Sequence, residues 1–126
     1  MLGEHPFGEH LGLRFAGRTD GGSRYELSIA PEHINPHGVV HGAVLFALAD
    51  TGMGAALYPT LAPEESCATI EIKINFHRPA AAGTLLCDST LVNRGRSVAT
   101  LESRLTLDGK LIATASGNFA IFPRRG

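Results

Sequence analysis

The sequence predicts an α+β fold in which a curved antiparallel β-sheet packs against one long helix. The first observation is the segment HGAVLFALADTGMGAALY, which is apolar on almost every side of a helix and ends before Pro59. The second is a strict alternation of polar and apolar residues from Thr69 to Phe76, which is typical of a half-buried strand. The third is a set of turn sequences, DGG, NRGR and DG, that separate the remaining apolar runs.

Length and charge restrict the class of protein further. The chain has 126 residues and a formal net charge of −1, so we expect one domain over 1–126 with a real core and no nucleic-acid partner. The N-terminus lacks the pattern of a secretory signal. The apolar segment carries Asp50, so we expect a buried core helix and no membrane partner. Cys67 and Cys87 match no disulfide framework or zinc pattern, which indicates reduced thiols and a cytoplasmic location.

The order of elements follows from the same patterns. A short helical turn is expected at the start, then a hairpin, an irregular loop, the long helix, and a four-stranded antiparallel meander that the first two strands join. In the last strand before Pro79, residues 69, 71, 73 and 75 are expected on one face and residues 70, 72, 74 and 76 on the other. The predicted ranges are 5–10 (turn), 12–18 and 23–30 (hairpin), 31–40 (loop), 41–58 (helix), and 69–76, 84–93, 96–107 and 111–122 (meander).

Asp50 is the main candidate for a catalytic residue. It is the single charged residue of the apolar segment, and its neighbours at three, four and seven positions along a helix cannot pair with it. A carboxylate on such a surface loses hydration and needs a partner or a catalytic role. The structural alternative is an aspartate at a solvated edge of the helix. We interpret Asp50 as the chemical centre.

The start of the helix supplies a second group of candidates. Helix N-termini offer unpaired backbone N–H groups that can polarise a carbonyl, and Gly42 permits a close approach because it has no side chain. Asn35 and His41 add polar side chains nearby, although ordinary loop chemistry and helix capping would also explain them. Gly42 and Asp50 are about 12 Å apart along a helix that rises about 1.5 Å per residue. One reacting carbon is too small to be reached from both ends of that span, so if both groups act on one carbon, they must come from different chains.

The burial pattern requires the same second chain. A helix that is apolar on all sides must be covered on all sides, and one sheet covers only one of them. A second copy of the chain is the simplest cover, so the sequence predicts a homodimer with active sites at its interface.

The motif N-x-x-G-x-x-H-G, followed by an apolar helix with an internal Asp, resembles the hotdog-fold acyl-CoA thioesterases of the phenylacetate-pathway (PaaI-like) branch. The match runs from about Asn35 to Phe122 and includes Arg78-Pro79 at the end of the first long strand. The resemblance implies a curved sheet wrapped around a central helix, and hydrolysis of an acyl-CoA to a free acid and coenzyme A. It also implies a dimer of dimers as a common assembly and no cofactor beyond the coenzyme A of the substrate. One departure is Ala43, where many relatives have a second glycine.

The resemblance also implies roles for single residues. The N–H of Gly42 would hold the thioester carbonyl, and Asn35 and His41 would help to position the carbonyl or the attacking water. Asp50 of the partner would act as nucleophile or general base, between which the sequence does not choose. Thr69, found by counting back from Pro79, would orient the water.

Further expectations concern the substrate. Arg94 and Arg96 flank a hairpin glycine and are candidates for binding the phosphates of coenzyme A, with a solvated turn as the alternative. Lys73 and Arg78 are weaker candidates. The acyl pocket is expected near Phe46, Met53, Leu57 and Phe76, and aromatic, short and medium acyl groups are all open.

Three other functions are possible on these residues. An enoyl-CoA hydratase or dehydratase of the same fold would need an aspartate just before Asn35-Pro36. This chain has His33 where that aspartate is expected. A metal site is suggested by His33, His37 and His41 at steps of four, but Pro36 and Gly38 argue against a helix there, so no metal is expected. A non-catalytic acyl-CoA binding protein would tolerate the loss of the Asp50 carboxylate.

Overall fold

The computed structural model describes residues 5–125, and within that range a six-stranded antiparallel sheet curves around one long helix. Short 3₁₀ turns at Pro31–His33 and Tyr58–Thr60 flank that helix. The helices are α1 (Pro6–Leu11) and α2 (Gly42–Leu57), and the strands are β1 (Arg14–Thr19), β2 (Gly22–Ser28), β3 (Glu65–Phe76), β4 (Thr84–Arg94), β5 (Val98–Leu107) and β6 (Lys110–Pro123). The predicted fold class is confirmed, and most element bounds fall within two residues of the prediction.

The strand order is β1-β2-β4-β5-β6-β3, which corrects one part of the predicted topology. The expected four-strand meander is wrong, because β3 pairs with β6 and not with β4. The seven residues between β3 and β4 can span about 23 Å. That length suffices to cross the roughly 14 Å of three strand spacings. The connection follows the end of the sheet: His77 N–H bonds to Ile112 O, and Ile29 N–H bonds to Gly83 O. As a result β3 is an edge strand.

Helix α2 lies on the concave face of the sheet, where its buried side meets the inward residues of β2, β4 and β5. Leu48, Met53 and Leu57 are fully buried against this face. The opposite side of the helix is only partly covered, because Ala43 and Phe46 are exposed and Asp50 is half-buried. The prediction that a single sheet leaves one side of this apolar helix open is therefore confirmed for the described chain.

A β-bulge at Ile70 interrupts the alternation of β3. Thr69 is opposite Phe119 of β6, whereas Glu71 is opposite the adjacent residue Asn118, so one extra residue is inserted in β3. Ile70 is 56% exposed as a consequence. The prediction that Thr69 and Glu71 share a face is wrong: Thr69 faces helix α2, and Glu71 bonds to Asn118 on the convex face.

Candidate active site

Asp50 and Thr69 form a hydrogen-bonded pair between the helix and the edge strand. The Thr69 hydroxyl donates to Asp50 Oδ1 at 2.7 Å. The other carboxylate oxygen, Oδ2, has no hydrogen-bond partner among residues 5–125. The hydroxyl donates its single hydrogen bond to Asp50, and its lone pairs remain available to accept a hydrogen bond from a water molecule. The pair can therefore orient a water and receive its proton.

The pair borders a cavity of about 560 Å³, which we call the Asp50 cavity. Its walls come from α1, β1, β2, β3, β6 and the exposed side of α2, and they combine apolar and aromatic side chains with a few polar ones. Burial raises the pKa of Tyr25, so this side chain lines the wall as a neutral phenol. The lining residues are His5, Glu9, Leu13, Phe15, Tyr25, Asp50, Thr51, Gly54, Ala55, Tyr58, Cys67, Ala68, Thr69 and Phe119.

The expected positions of the pocket residues need correction. Met53 and Leu57 are fully buried in the core and do not line the Asp50 cavity, because they lie on the side of α2 that faces the sheet. Phe46 is exposed at the surface, and Phe76 lies at the other end of the helix.

Sequence reasoning missed Tyr58 and Cys67, which both line the Asp50 cavity. Both could have been found from periodicity. Tyr58 lies two steps of four after Asp50, along the stripe through Gly54 that the helix leaves open. Cys67 lies two residues before Thr69 and so faces the same side of β3. Burial and then the charge of Asp50 raise the pKa of the Cys67 thiol, which is free, like that of Cys87.

In the first turn of α2, the Gly42 N–H is available to donate a hydrogen bond to a ligand. His41 caps the helix, because its Nδ1 accepts from Ala43 N–H at 2.9 Å and its carbonyl accepts from Val44 N–H. The Gly42 N–H has no acceptor within the described range 5–125. Since Nδ1 accepts a hydrogen bond, the ring proton is on Nε2, which can donate outward. The helix start therefore offers a backbone donor beside an imidazole donor.

A second cavity of about 410 Å³, the Gly42 cavity, lies at this helix start. Phe76 packs directly over Gly42: a Cβ added to the glycine would lie 2.9 Å from Phe76 Cζ. His77 and Arg78 also line the cavity. It shares no lining residue with the Asp50 cavity. Within one chain, the free amide and the carboxylate therefore open onto different cavities, about 12 Å apart along the helix axis.

Asn35 shapes the loop that leads to the helix. Its Oδ1 accepts from His37 N–H at 2.9 Å and from Val39 N–H at 3.3 Å, in a turn that places Gly38 at φ +84°. The loop alternative is thus correct for the side-chain oxygen. The side-chain amide keeps two donors that bond to no residue of 5–125, so it can still contribute to a site.

The two candidate phosphate ligands differ in their surroundings. The Arg94 guanidinium pairs with Glu65 at 2.8 Å and also donates to Thr60 O and Gly95 O. These contacts tie the β4–β5 turn to the start of β3 and leave little of the guanidinium for a ligand. Arg96 is exposed, and its side chain has no hydrogen bond or ion pair to residues 5–125. Of the two arginines, Arg96 is therefore the one whose guanidinium is available to bind a phosphate.

His33 is a buried structural residue. Its Nδ1 accepts from Ala30 N–H at 3.0 Å, and its Nε2 donates to Leu11 O at 2.6 Å. With both ring nitrogens occupied, His33 can neither bind a metal ion with His37 and His41 nor replace the acid of a hydratase.

Comparisons with known proteins agree with this fold. The family model described as "Thioesterase superfamily" matches residues 37–113. A candidate esterase of Pseudomonas aeruginosa is 34% identical over 94 residues, covering 74% of this chain and 70% of that protein. The structure of a conserved protein from Pseudomonas aeruginosa superposes with a TM-score of 0.90 at 31% identity, covering 94% of this chain and 95% of the other.

A mutant of the phenylacetic acid degradation protein PaaI from Thermus thermophilus superposes with a TM-score of 0.85 at 27% identity, covering 92% of this chain and 98% of that one. The chain belongs to the thioesterase superfamily, and its fold is the hotdog fold. It is a thioester hydrolase. In the range 5–125, neither helix has the length and apolar character needed to cross a membrane.

Proposed function

We propose that this protein is an acyl-CoA thioesterase of the PaaI-like branch that works as a homodimer. The observation that carries the proposal is the Asp50–Thr69 pair, which borders an apolar cavity large enough for an acyl group. The Asp50 carboxylate lines this cavity, but Gly42 does not. The free N–H of Gly42 opens onto a separate cavity of the same chain. A complete site for polarising and attacking a thioester therefore needs Gly42 from one chain and Asp50 from the other.

The exposed surfaces supply an interface for this dimer. Strand β3 is an edge strand of 12 residues, and edge strands present unpaired backbone groups that can join a second sheet. Ile70 and Phe76 on this strand are more than half exposed, and Phe46 on the open side of α2 is 38% exposed. Pairing two copies would remove these apolar side chains from water, which favours association. A dimer of dimers is a further expectation from the same branch.

The chemistry then follows from the groups present. The partner's helix start, through the Gly42 N–H, would hold the thioester oxygen and stabilise the negative charge that develops on it. Asp50 would take a proton from a water oriented by Thr69, and the resulting hydroxide would add to the carbonyl carbon. Collapse of the tetrahedral intermediate would break the C–S bond, and the leaving thiolate would take the proton from Asp50. The products are the carboxylic acid and coenzyme A, and the carboxylate of Asp50 is restored. His41 Nε2 and the Asn35 amide would supply further donors beside the carbonyl.

We favour this general-base role over direct attack by the carboxylate. The hydroxyl of Thr69 donates to Asp50 Oδ1, so its lone pairs place an acceptor for water directly beside the carboxylate. Direct attack would instead form an anhydride between Asp50 and the acyl group. In a single turnover in ¹⁸O-labelled water, the general-base route places label only in the product acid. Label in the peptide that contains Asp50 would reveal an anhydride opened at the Asp50 carbonyl and would contradict this role.

The decisive test uses two inactive variants in one dimer. Asp50→Asn and Gly42→Ala homodimers should both lose most hydrolysis of acyl-CoA, measured by release of the free thiol. A heterodimer purified through two different tags combines Asp50 and Gly42 of opposite chains in one intact site, and so should recover about half of the wild-type activity. No recovery in a correctly folded heterodimer would contradict a site shared between chains. Absence of acyl-CoA hydrolysis by the wild type would contradict the function itself.

A further inference from the structure

Three buried serines form a row on the concave face of the sheet, behind the catalytic turn of the helix. Ser23 of β2, Ser89 of β4 and Ser103 of β5 are 0%, 0% and 1% exposed. Ser23 Oγ donates to Gly52 O at 2.7 Å, and Ser103 Oγ donates to Ala49 O at 3.2 Å. Hydroxyls at inward positions of strands are unusual in a core, which is otherwise filled by apolar side chains.

The contact of Ser103 with the helix assigns the hydroxyl protons of this row. Each hydroxyl has a single proton, and Ser103 gives its proton to Ala49 O. The 2.7 Å bond between Ser89 and Ser103 must then be donated by Ser89. Ser89 therefore supports Ser103 without touching a helix carbonyl, whereas Ser23 and Ser103 contact the helix backbone directly.

Helix and sheet approach each other closely at this point. A Cβ added to Gly52 would overlap Ser89 Oγ, so a glycine is required there. The Cys87 thiol next to Ser89 also points at the helix and donates to Leu48 O at 3.5 Å. The hydrogen-bonded carbonyls thus belong to residues on both sides of Asp50, on the side of the helix opposite its carboxylate.

We propose that Ser23 and Ser103 are positioning residues that fix the rotation and axial position of α2 and so hold the Asp50 carboxylate on Thr69. This inference rests on the proposed thioesterase function. Ala49 O belongs to the peptide group whose N–H is that of Asp50, so the bond from Ser103 restrains the backbone that carries the acid. Apolar packing along the rest of α2 is non-directional and permits small rotations, whereas hydrogen bonds to carbonyls are directional.

The effect on catalysis should be larger than the effect on binding. Asp50 sits on a helix and Thr69 on an edge strand, so a small rotation of α2 changes the distance between them. A misplacement on the order of 1 Å can reduce a rate about 100-fold, and a fraction of that shift should still be measurable. Substrate binding depends on the cavity walls, most of which lie on other elements.

Ser89→Ala is the matched control for Ser103→Ala, because both remove one buried hydroxyl from the same pair and only the second removes a bond to the helix. With acyl-CoA as substrate, we expect Ser103→Ala and Ser23→Ala to lower kcat about tenfold, with KM changed less than about twofold. Ser89→Ala should keep kcat within about threefold of wild type. Its Tm should fall about as far as the Tm of Ser103→Ala, because each variant loses one buried hydroxyl. Combining Ser23→Ala with Ser103→Ala should lower kcat further.

The outcomes separate the two proposals. Equal losses of kcat in Ser89→Ala and Ser103→Ala, in step with the fall in Tm, would overturn the positioning role and leave only a contribution to stability. A rise in KM with unchanged kcat would overturn it as well. Loss of the proposed function is recognised differently, since the wild type would then release no thiol from acyl-CoA at all.

Discussion

Thr69 Oγ1 lies 2.7 Å from Asp50 Oδ1, although the two residues come from an edge strand and a helix that are separated by a loop and a 3₁₀ turn. This contact depends on the bulge at Ile70, which turns Thr69 towards the helix while Glu71 faces the convex side. Bulges commonly redirect a side chain next to an active site. The polar pair is thereby placed at the border of the Asp50 cavity.

The Thr69 hydroxyl should contribute directly to turnover. We expect Thr69→Val to lower kcat by about 10- to 100-fold, because the variant has nearly the same shape but cannot orient water for Asp50. Thr69→Ser keeps the hydroxyl and should retain most of the activity. Steady-state kinetics on one acyl-CoA substrate measure both variants, and equal activity of valine and serine variants would contradict the role.

Gly42→Ala should impair catalysis while leaving the fold intact. The added Cβ would lie 2.9 Å from Phe76 Cζ, so it would displace this ring and restrict access to the amide. Alanine keeps the backbone N–H, so the fall in kcat comes from obstructed access and should not exceed the about 100- to 1,000-fold that removal of one oxyanion donor typically costs. Alanine also favours a helix over glycine, so the Tm should not fall by more than a few degrees. A variant with full activity would contradict a close approach of the substrate carbonyl to the helix start at Gly42.

Arg96 and Arg94 should behave differently towards coenzyme A. We expect Arg96→Ala to raise KM for an acyl-CoA about three- to tenfold, since an exposed arginine pairs with the phosphates of the nucleotide. The KM for the corresponding acyl-pantetheine, which has no nucleotide, should not change. Arg94→Ala should mainly lower Tm, because its guanidinium holds the β4–β5 turn to Glu65. The opposite assignment of the two effects would refute the distinction.

The ion pair of Glu65 should make stability depend on pH in a defined direction. The Ala62 N–H and then the Arg94 side chain lower the pKa of Glu65 below its ordinary 4.5. A lowered pKa stabilises the folded state above the unfolded-state value, and this stabilisation disappears as the pH falls through the folded-state value. Glu65→Gln should therefore be less stable than wild type at neutral pH and approach it in acid. Urea unfolding over a pH series tests this, and a constant difference would contradict it.

Cys67 reports the charge of Asp50 in solution. Burial and then Asp50 raise the pKa of its thiol, so alkylation by iodoacetamide at mildly alkaline pH should be slow. Asp50→Asn removes the second cause and should accelerate the reaction, whereas Thr69→Val keeps the charge and should not. Cys87 is buried with its pKa raised to about 11, so it contributes little signal. Equal alkylation rates in wild type and Asp50→Asn would mean that the charge does not act on the thiol.

The sequence alone determined the central helix, its internal acid and its glycine start. These are local properties: an apolar run of helical length, a lone Asp50 and a stop at Pro59 can be read without knowledge of distant residues. Turn sequences likewise predicted the β1–β2, β4–β5 and β5–β6 hairpins, all of which form.

Only the tertiary structure decided where β3 pairs and which way Thr69 points. Strand neighbours and bulges are set by hydrogen bonds between segments far apart in the chain, here β3 with β6, and no local periodicity records them. For the same reason the wall of the Asp50 cavity that comes from α1, β1 and β2 was not foreseen. Likewise, the serines behind Asp50 resemble ordinary strand residues until the sheet curves and brings their hydroxyls against the helix carbonyls.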